Sequence, residues 1–252
     1  MAETGQNDLF GIAVEIESSA NEADAYSTFV EPWSEKEKLE AETQTLGLFL
    51  TGHPIAEYLP ELKHITHGSL ASLQADAERS KGKMEGRVAG LVVEMRTRQT
   101  KQGKMMGFAT LDDRTGRLEV AAFSKTYDSY RDLLSKDTLL VAEGALAIDD
   151  FSGSLRMTAE KIYSMEQARD MFARGISIDW LSPGPQPEFL QKLQDTLAPF
   201  CGGQCPIFIE YSTGTAKATV QLGEDWRVHP NDELLIRLRR LVSADAVQVK
   251  YK

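Results

Sequence analysis

Arg96, Arg98, Lys101 and Lys104 place four cations within nine residues, and no acid lies among residues 95–111. Thr97, Gln99, Thr100 and Gln102 add neutral hydrogen-bonding groups between them. Such a run can track the phosphates of a single strand, and Phe108 just beyond it can stack a base. The alternative is the solvated tip of a hairpin, and the fold that carries the run decides between them. A second set is Gln6-Asn7-Asp8-Leu9-Phe10, between Gly5 and Gly11. An adjacent Leu-Phe pair in a polar arm can fill an apolar pocket while the Gln amide fixes orientation. Taken alone, it reads as a chance pentapeptide. A third set is Arg237, Arg239 and Arg240 beside a leucine stripe, with Trp226 and Tyr251 nearby as anchors for a partner if exposed. By itself that run is a core stripe with a solvated face.

Catalytic signatures are missing. The chain has no G-x-S-x-G, Walker loop, H-E-x-x-H or G-x-G-x-x-G. His64 and His67 are three apart, a spacing compatible with a metal, but two ligands leave such a site open and no acidic third ligand is close in sequence. They read as surface or capping residues. Asp112-Asp113 and Asp149-Asp150 stand near glycines in hairpin turns, where Asp serves local hydrogen bonds rather than magnesium. The two cysteines, Cys201 and Cys205, rule out a disulfide framework; with no second Cys pair or nearby His they read as buried or loop thiols rather than zinc ligands. No signal peptide or membrane span is visible, so the chain reads as cytoplasmic and reduced.

The formal charge of −10 over 252 residues argues at first against nucleic acid. Its distribution removes that objection. Residues 1–45 hold 2 Lys/Arg against 11 Asp/Glu, whereas residues 84–165 hold 12 of each. The acidity belongs to the arm around Gln6–Phe10, where it keeps a tether extended, and the later part is free to carry a local basic patch.

The elements that must position these residues follow from period. Residues 1–32 carry too few large apolar side chains to offset ordering entropy and are expected to be a flexible acidic arm. Residues 33–83 form a short helical segment. Ser34 and Glu37 make a capping box for a helix to about Leu46, and Pro54 opens a second helix over Ile55 to Leu62. Residues 84–165 show three strands, a helix capped by Ser124, then two strands. Leu118, Val120 and Ala122, and Leu155, Met157 and Ala159, alternate with period two. That order is a five-stranded OB-fold β-barrel, whose loop between strands one and two flanks an oligonucleotide-binding face. Residues 166–252 read β-α-β-β-α-β, a small α/β domain of the split βαβ kind. The fold class is multidomain α+β.

Longer stretches carry a resemblance. They include Leu46-Gly47-Leu48-Phe49-Leu50-Thr51-Gly52-His53-Pro54-Ile55, Ala89-Gly90-Leu91-Val92-Val93 and Thr110-Leu111-Asp112-Asp113-Arg114-Thr115-Gly116-Arg117-Leu118-Glu119-Val120. Asp149-Asp150-Phe151-Ser152-Gly153 with Met157-Thr158-Ala159, Ala173-Arg174-Gly175, and Trp226-Arg227-Val228 continue it. In this order and spacing the whole chain resembles the C-terminal part of bacterial DNA polymerase III alpha subunits. The resemblance implies that Gln6, Asp8, Leu9 and Phe10 bind the sliding clamp, with Asn7 departing where many clamp motifs carry an apolar residue. It implies an OB domain near single-stranded template, with Arg96, Arg98, Lys101, Lys104 and Phe108 on DNA. It makes residues 166–252 the domain that docks the tau subunit of the clamp loader, with Trp226, Arg237, Arg240 and Tyr251 as partner candidates. The family's polymerase core, whose paired aspartates hold Mg2+, precedes this region, so Met1 reads as an expression start. No cofactor and no nucleotide incorporation are expected here. The alternative is a free-standing OB-fold single-strand-binding protein.

Overall fold

The structure is a computed structural model that describes residues 52–80, 82–149, 153–180, 187–212 and 216–251, with 33, 38, 41, 42 and 45 before them. The chain divides into two units, Met1–Leu48 and Phe49–Lys252. In the first, Lys38, Ala41, Glu42 and Thr45 have helical backbone, inside the helix expected up to Leu46. The second unit begins with two helices, α1 (Leu59–Ile65) and α2 (Leu70–Ser80). Strands β1 (Met84–Gln99), β2 (Met105–Asp112) and β3 (Arg117–Phe123) follow, then α3 (Ser124–Tyr130), β4 (Leu139–Ile148) and β5 (Leu155–Ser164).

These five strands close into a barrel in the order β1-β2-β3-β5-β4. The long β1 makes closure possible. Its first half pairs with β4 and its second half with β2, with a bulge between Val92 and Glu94 that bends it from one partner to the other. The parallel pairing of β3 with β5 completes the ring. Val88, Val92, Leu111, Leu118, Val120, Leu146 and Met157 point inward and are buried with period two, and a bulge between Ala159 and Lys161 of β5 shifts the inward set to Ile162. Helix α3 covers one end with Tyr127. A Cβ at Gly107 would lie 2.6 Å from the Tyr127 ring, so the barrel wall needs glycine there.

Helix α2, which the sequence reading left without an element, supplies Leu70, Leu73 and Ala77 to the same core. Its N-terminus is held from afar. Asp113 Oδ2 accepts the Leu70 N–H at 2.8 Å, while Oδ1 accepts the N–H groups of Thr115 and Gly116 and the Thr115 hydroxyl. The Asp113 turn thus caps a helix 43 residues upstream as well as its own hairpin.

Two helix starts differ from expectation. The helix placed at Ile55–Leu62 starts at Leu59, because Pro60 inside that span has no N–H to donate; it sits in the first turn of α1. Ser124 does not cap α3. It is the first helical residue, at φ 31°, and Phe123 occupies the cap position without a side-chain bond.

After β5 come α4 (Met165–Phe172), β6 (Ala173–Trp180), α5 (Pro187–Leu197), β7 (Cys201–Cys205), β8 (Ile207–Ser212), β9 (Lys217–Gln221), α6 (Asp232–Leu241) and β10 (Val247–Tyr251). The order of the four sheet strands and two covering helices agrees with the sequence, but β7 is an additional strand outside that sheet, and the split arrangement is not found. β6 and β8 are parallel and hydrogen-bonded directly, and β10 adds outside β6 to give the order β10-β6-β8-β9. The crossover through α5 returns the chain beside β6, leaving no gap for an inserted strand. Leu193 and Leu197 of α5 and Leu234, Leu235 and Leu238 of α6 bury against Ile176, Ile178, Ile207 and Ile209. Asn231 caps α6 by accepting the Leu234 N–H at 2.9 Å.

Between barrel and α/β sheet lies a third apolar cluster, with Ile55, Leu62 and Ile65 from the α1 region, Ala89, Val141 and Tyr163 from the barrel, and Met165 and Ala168 from α4. At its edge Arg169, only 2% exposed, donates to both carboxylate oxygens of Glu61 at 2.8 and 3.0 Å and to Asp232 at 2.6 Å. Tyr58 donates to Asp232 and Tyr251 to Glu61. One buried guanidinium therefore ties α1 and α4 to the start of α6 and the last strand.

Candidate nucleic-acid interface

The outward face of β1, β2 and β3 is built by register. Beyond the bulge, Glu94 pairs with Thr110, Arg96 with Phe108 and Arg98 with Met106; across the next ladder Thr110 meets Glu119, Phe108 meets Ala121 and Met106 meets Phe123. Glu119 in turn stands opposite Arg156 on β5. Three rows result. One is ionic, Glu94-Thr110-Glu119-Arg156. The middle one is Arg96-Phe108-Ala121-Thr158. The outer one, toward the hairpin tip, is Arg98-Met106-Phe123.

Phe108 and Phe123 meet edge to face, with centroids 6.4 Å apart, and Phe123 is 45% exposed. An exposed aromatic of this size on a polar strand face offers a stacking surface for a base. The hairpin tip beside it is rigidly made. Thr100 and Lys104 exchange a backbone bond of 2.8 Å, the Thr100 hydroxyl accepts the Lys104 N–H, and Gly103 takes φ 79°. That geometry leaves Lys101 and Lys104 exposed at the end of the row.

The four cations named from sequence do not share one environment. Arg96 lies on β1, bonded to Glu119 at 2.9 Å and 3.3 Å from Glu94. Arg98, also on β1, and Lys101 and Lys104 at the tip have no ion pair among the described residues. Phe108 and the cations share the β1–β2 surface. Phe123, Met106, Glu119 and Arg156 were missed. Their signal, outward positions on paired strands, appears only once the hairpin register is known.

The partner candidates separate. Arg237 and Arg240 line a shallow groove between α5 and α6 with Lys192 and Leu241. Arg237 is paired with Glu233 and sits 5.4 Å from the centre of the Phe200 ring. Trp226 packs half-buried against the α/β core, away from that groove. Tyr251 spends its hydroxyl on Glu61 and its ring on His64, stacked at 6.1 Å, so it belongs to the junction. Gln6, Asp8, Leu9 and Phe10 lie outside the described residues.

Other candidates have structural work. His67 Nδ1 accepts the Arg87 N–H at 2.8 Å and His64 stacks on Tyr251, so the pair does not converge. Asp112 accepts from Arg117 and from the Arg114 N–H. Burial alone would raise its pKa, but those bonds and the charge of Arg117 hold its carboxyl below the ordinary range. Burial pushes the Cys205 thiol up to about 12, beyond reach as a nucleophile near neutrality. No group of three His, Cys, Asp or Glu is arranged for a metal among the described residues, nor is any helix there long and apolar enough to cross a membrane.

Comparison with known proteins adds to this geometry. The sequence profile of an OB-fold nucleic acid binding domain matches residues 87–165, and that of the C-terminal domain of DNA polymerase III subunit alpha matches residues 192–243. The DNA polymerase III subunit alpha of Pasteurella multocida is 37% identical over 251 residues, which is 100% of this chain and 21% of that protein. That of Vibrio cholerae is 39% identical over 247 residues, 98% of this chain and 21% of that protein. The chain therefore spans about a fifth of the length of these relatives. Among solved structures, the mitochondrial single-stranded DNA binding protein Rim1 of S. cerevisiae aligns at 16% identity over 33% of this chain and 95% of its own, with a TM-score of 0.28.

Proposed function

We propose, for a chain homologous along its whole length to the C-terminal region of DNA polymerase III alpha subunits, that it is the scaffold and processivity part of a replicative polymerase. Its barrel holds single-stranded template, its α/β domain docks the tau subunit of the clamp loader, and Gln6–Phe10 engages the sliding clamp. Nucleotidyl transfer and its Mg2+ belong to a polymerase core outside this chain.

The observation that carries the DNA reading is the outward Phe108–Phe123 pair beside Arg98, Lys101 and Lys104. Aromatics can stack successive bases of any sequence, while cations at one end follow the backbone; sequence-tolerant binding is what a template contact needs. Homology along the α/β domain as well as the barrel favours this role over a free-standing single-strand-binding protein. Lys192 and Arg240 are the cations of the α5–α6 groove that a segment of the tau subunit would meet, beside Asp195 and an Arg237 held by Glu233.

The test is fluorescence anisotropy with a labelled oligo(dT). Phe108→Ala with Phe123→Ala should weaken binding by ~30-fold or more, given about 1–3 kcal/mol for each of two stacked bases. Unchanged affinity would remove the barrel face from the proposal. Separately, Leu9→Ala with Phe10→Ala should abolish retention on immobilised clamp, since two such side chains bury about 1.5–3 kcal/mol each; undiminished retention would place the clamp contact elsewhere.

A further inference from the structure

Glu119 is the shared partner of arginines from two strands. Its Oε2 accepts from Arg96 Nη2 at 2.9 Å, and its Oε1 lies 2.7 Å from Arg156 Nη2. Oε1 is buried yet receives no aligned N–H, so that second contact rests on charge. Glu94 stands 3.3 Å from Arg96 Nε, and Asp149 lies 2.8 Å from Arg156 Nη1. Two guanidinium groups thus face three carboxylates at the edge of the aromatic row. The excess positive charge of this surface is confined to Arg98, Lys101 and Lys104 at the hairpin end.

We propose that Glu119 is a built-in competitor for nucleic-acid phosphate, occupying Arg96 and Arg156 and keeping the barrel's single-strand affinity low. The proposal rests on the reading of this face as a single-strand site. A carboxylate and a phosphodiester offer a guanidinium the same pair of oxygen acceptors. A phosphate can therefore pair with the edge of either arginine that Glu119 holds only by displacing it; the remaining N–H groups are left for weaker, one-sided contact. That displacement would leave the Glu119 charge with one arginine instead of two, beside the strand's own charge. Arg96 and Arg156 are half-exposed, at 54% and 45%, so each pair is weak enough to exchange. With both arginines held, stacking and three hairpin cations carry the strand, which stays loosely held. A template that must slide past a polymerase needs such a contact.

The substitution Glu119→Gln in the full 252-residue chain keeps the shape and removes the charge. The dissociation constant for labelled oligo(dT) should fall about tenfold. The log–log salt slope should steepen, by less than the ~1.4 that two fully freed cations would add, because Glu94 still faces Arg96 and Asp149 still faces Arg156. Glu94→Gln leaves Glu119 in place and should change both far less. Unaltered affinity and slope in Glu119→Gln would overturn the proposal. If Arg98→Ala, Lys101→Ala and Lys104→Ala together still weaken binding, the single-strand reading itself survives that failure; if they do not, both fall. Should Glu119→Gln melt well below the parent, Arg96→Gln with Arg156→Gln decides. With Glu119 present these arginines neutralise no phosphate, so the log–log salt slope should stay unchanged even though the uncovered carboxylates lower affinity. A slope shallower by about 1.4 would show that they already grip phosphate, and the proposal would be wrong.

Discussion

Two arginine–carboxylate clusters in this protein use the same chemistry to opposite ends. At the junction, Arg169 is 2% exposed and bound by Glu61 and Asp232, with two tyrosine hydroxyls closing the network. On the barrel face, Arg96 and Arg156 are half in water and share Glu119. Burial opposes the charge on Arg169, but the bonds and charges of Glu61 and Asp232 more than offset that, raising its pKa. Arg169 itself is shielded from solvent, so the network serves as a clasp between elements distant in sequence. On the face, solvent weakens each pair, and the same ionic contact becomes a gate that a ligand can open.

The largest expected effect tests the buried side of this contrast. Arg169→Ala leaves Glu61 and Asp232 as uncompensated charges and should cost about 3–5 kcal/mol of stability. Urea denaturation followed by tryptophan fluorescence would measure it, and a loss below about 1 kcal/mol would erase the distinction between the clusters. The matching change on the face, Arg156→Gln, should lower stability by less than about 1 kcal/mol, because both its partners remain hydrated or otherwise bonded. A loss as large as that of Arg169→Ala would mean the face network is structural.

A smaller effect concerns pH. Asp112, whose folded pKa is depressed chiefly by Arg117 against the opposing effect of burial, contributes stability that is fully present above its ordinary pKa of about 3.9. That contribution is lost as pH falls through the depressed folded value. Asp112→Asn should therefore melt below the parent by a constant few tenths to about 1 kcal/mol equivalent between pH 5 and 7, with the two curves converging in acid. Parallel curves down to the most acid pH would show that Asp112 titrates unperturbed.

Much of the barrel was legible because its signals are local. Leu118, Val120 and Ala122 alternate, Leu155, Met157 and Ala159 alternate, and a helix separates the third and fourth strands. Errors arose where a local signal was read without its neighbours. Pro60 forbids the helix placed at Ile55–Leu62, and the apolar spacing of Leu70, Leu73 and Ala77 was visible but unused. The pairing of β6 with β8 was beyond reach, since a β-α-β-β-α-β order is compatible with several strand orders.

The candidate site divides in the same way. Cation spacing marked Arg96, Arg98, Lys101 and Lys104, because charge is written in residue type. Which of them are held by carboxylates depends on who stands opposite, and Glu119 is 23 residues from Arg96. Phe123 meets Phe108 only through the register of β2 and β3. Tyr251, which looked like an anchor for a partner, is bound to a residue 190 positions away.

By itself, then, the sequence determined the order of the barrel's strands, the acidity of residues 1–45 and the positions where cations and aromatics are available. Those follow from side-chain period and composition, which are properties of short stretches. Tertiary structure alone decided which arginines are free, which are latched and which is locked away. That outcome depends on burial and on partners brought together by strand register and helix docking, because the strength of an ion pair is set by the water around it.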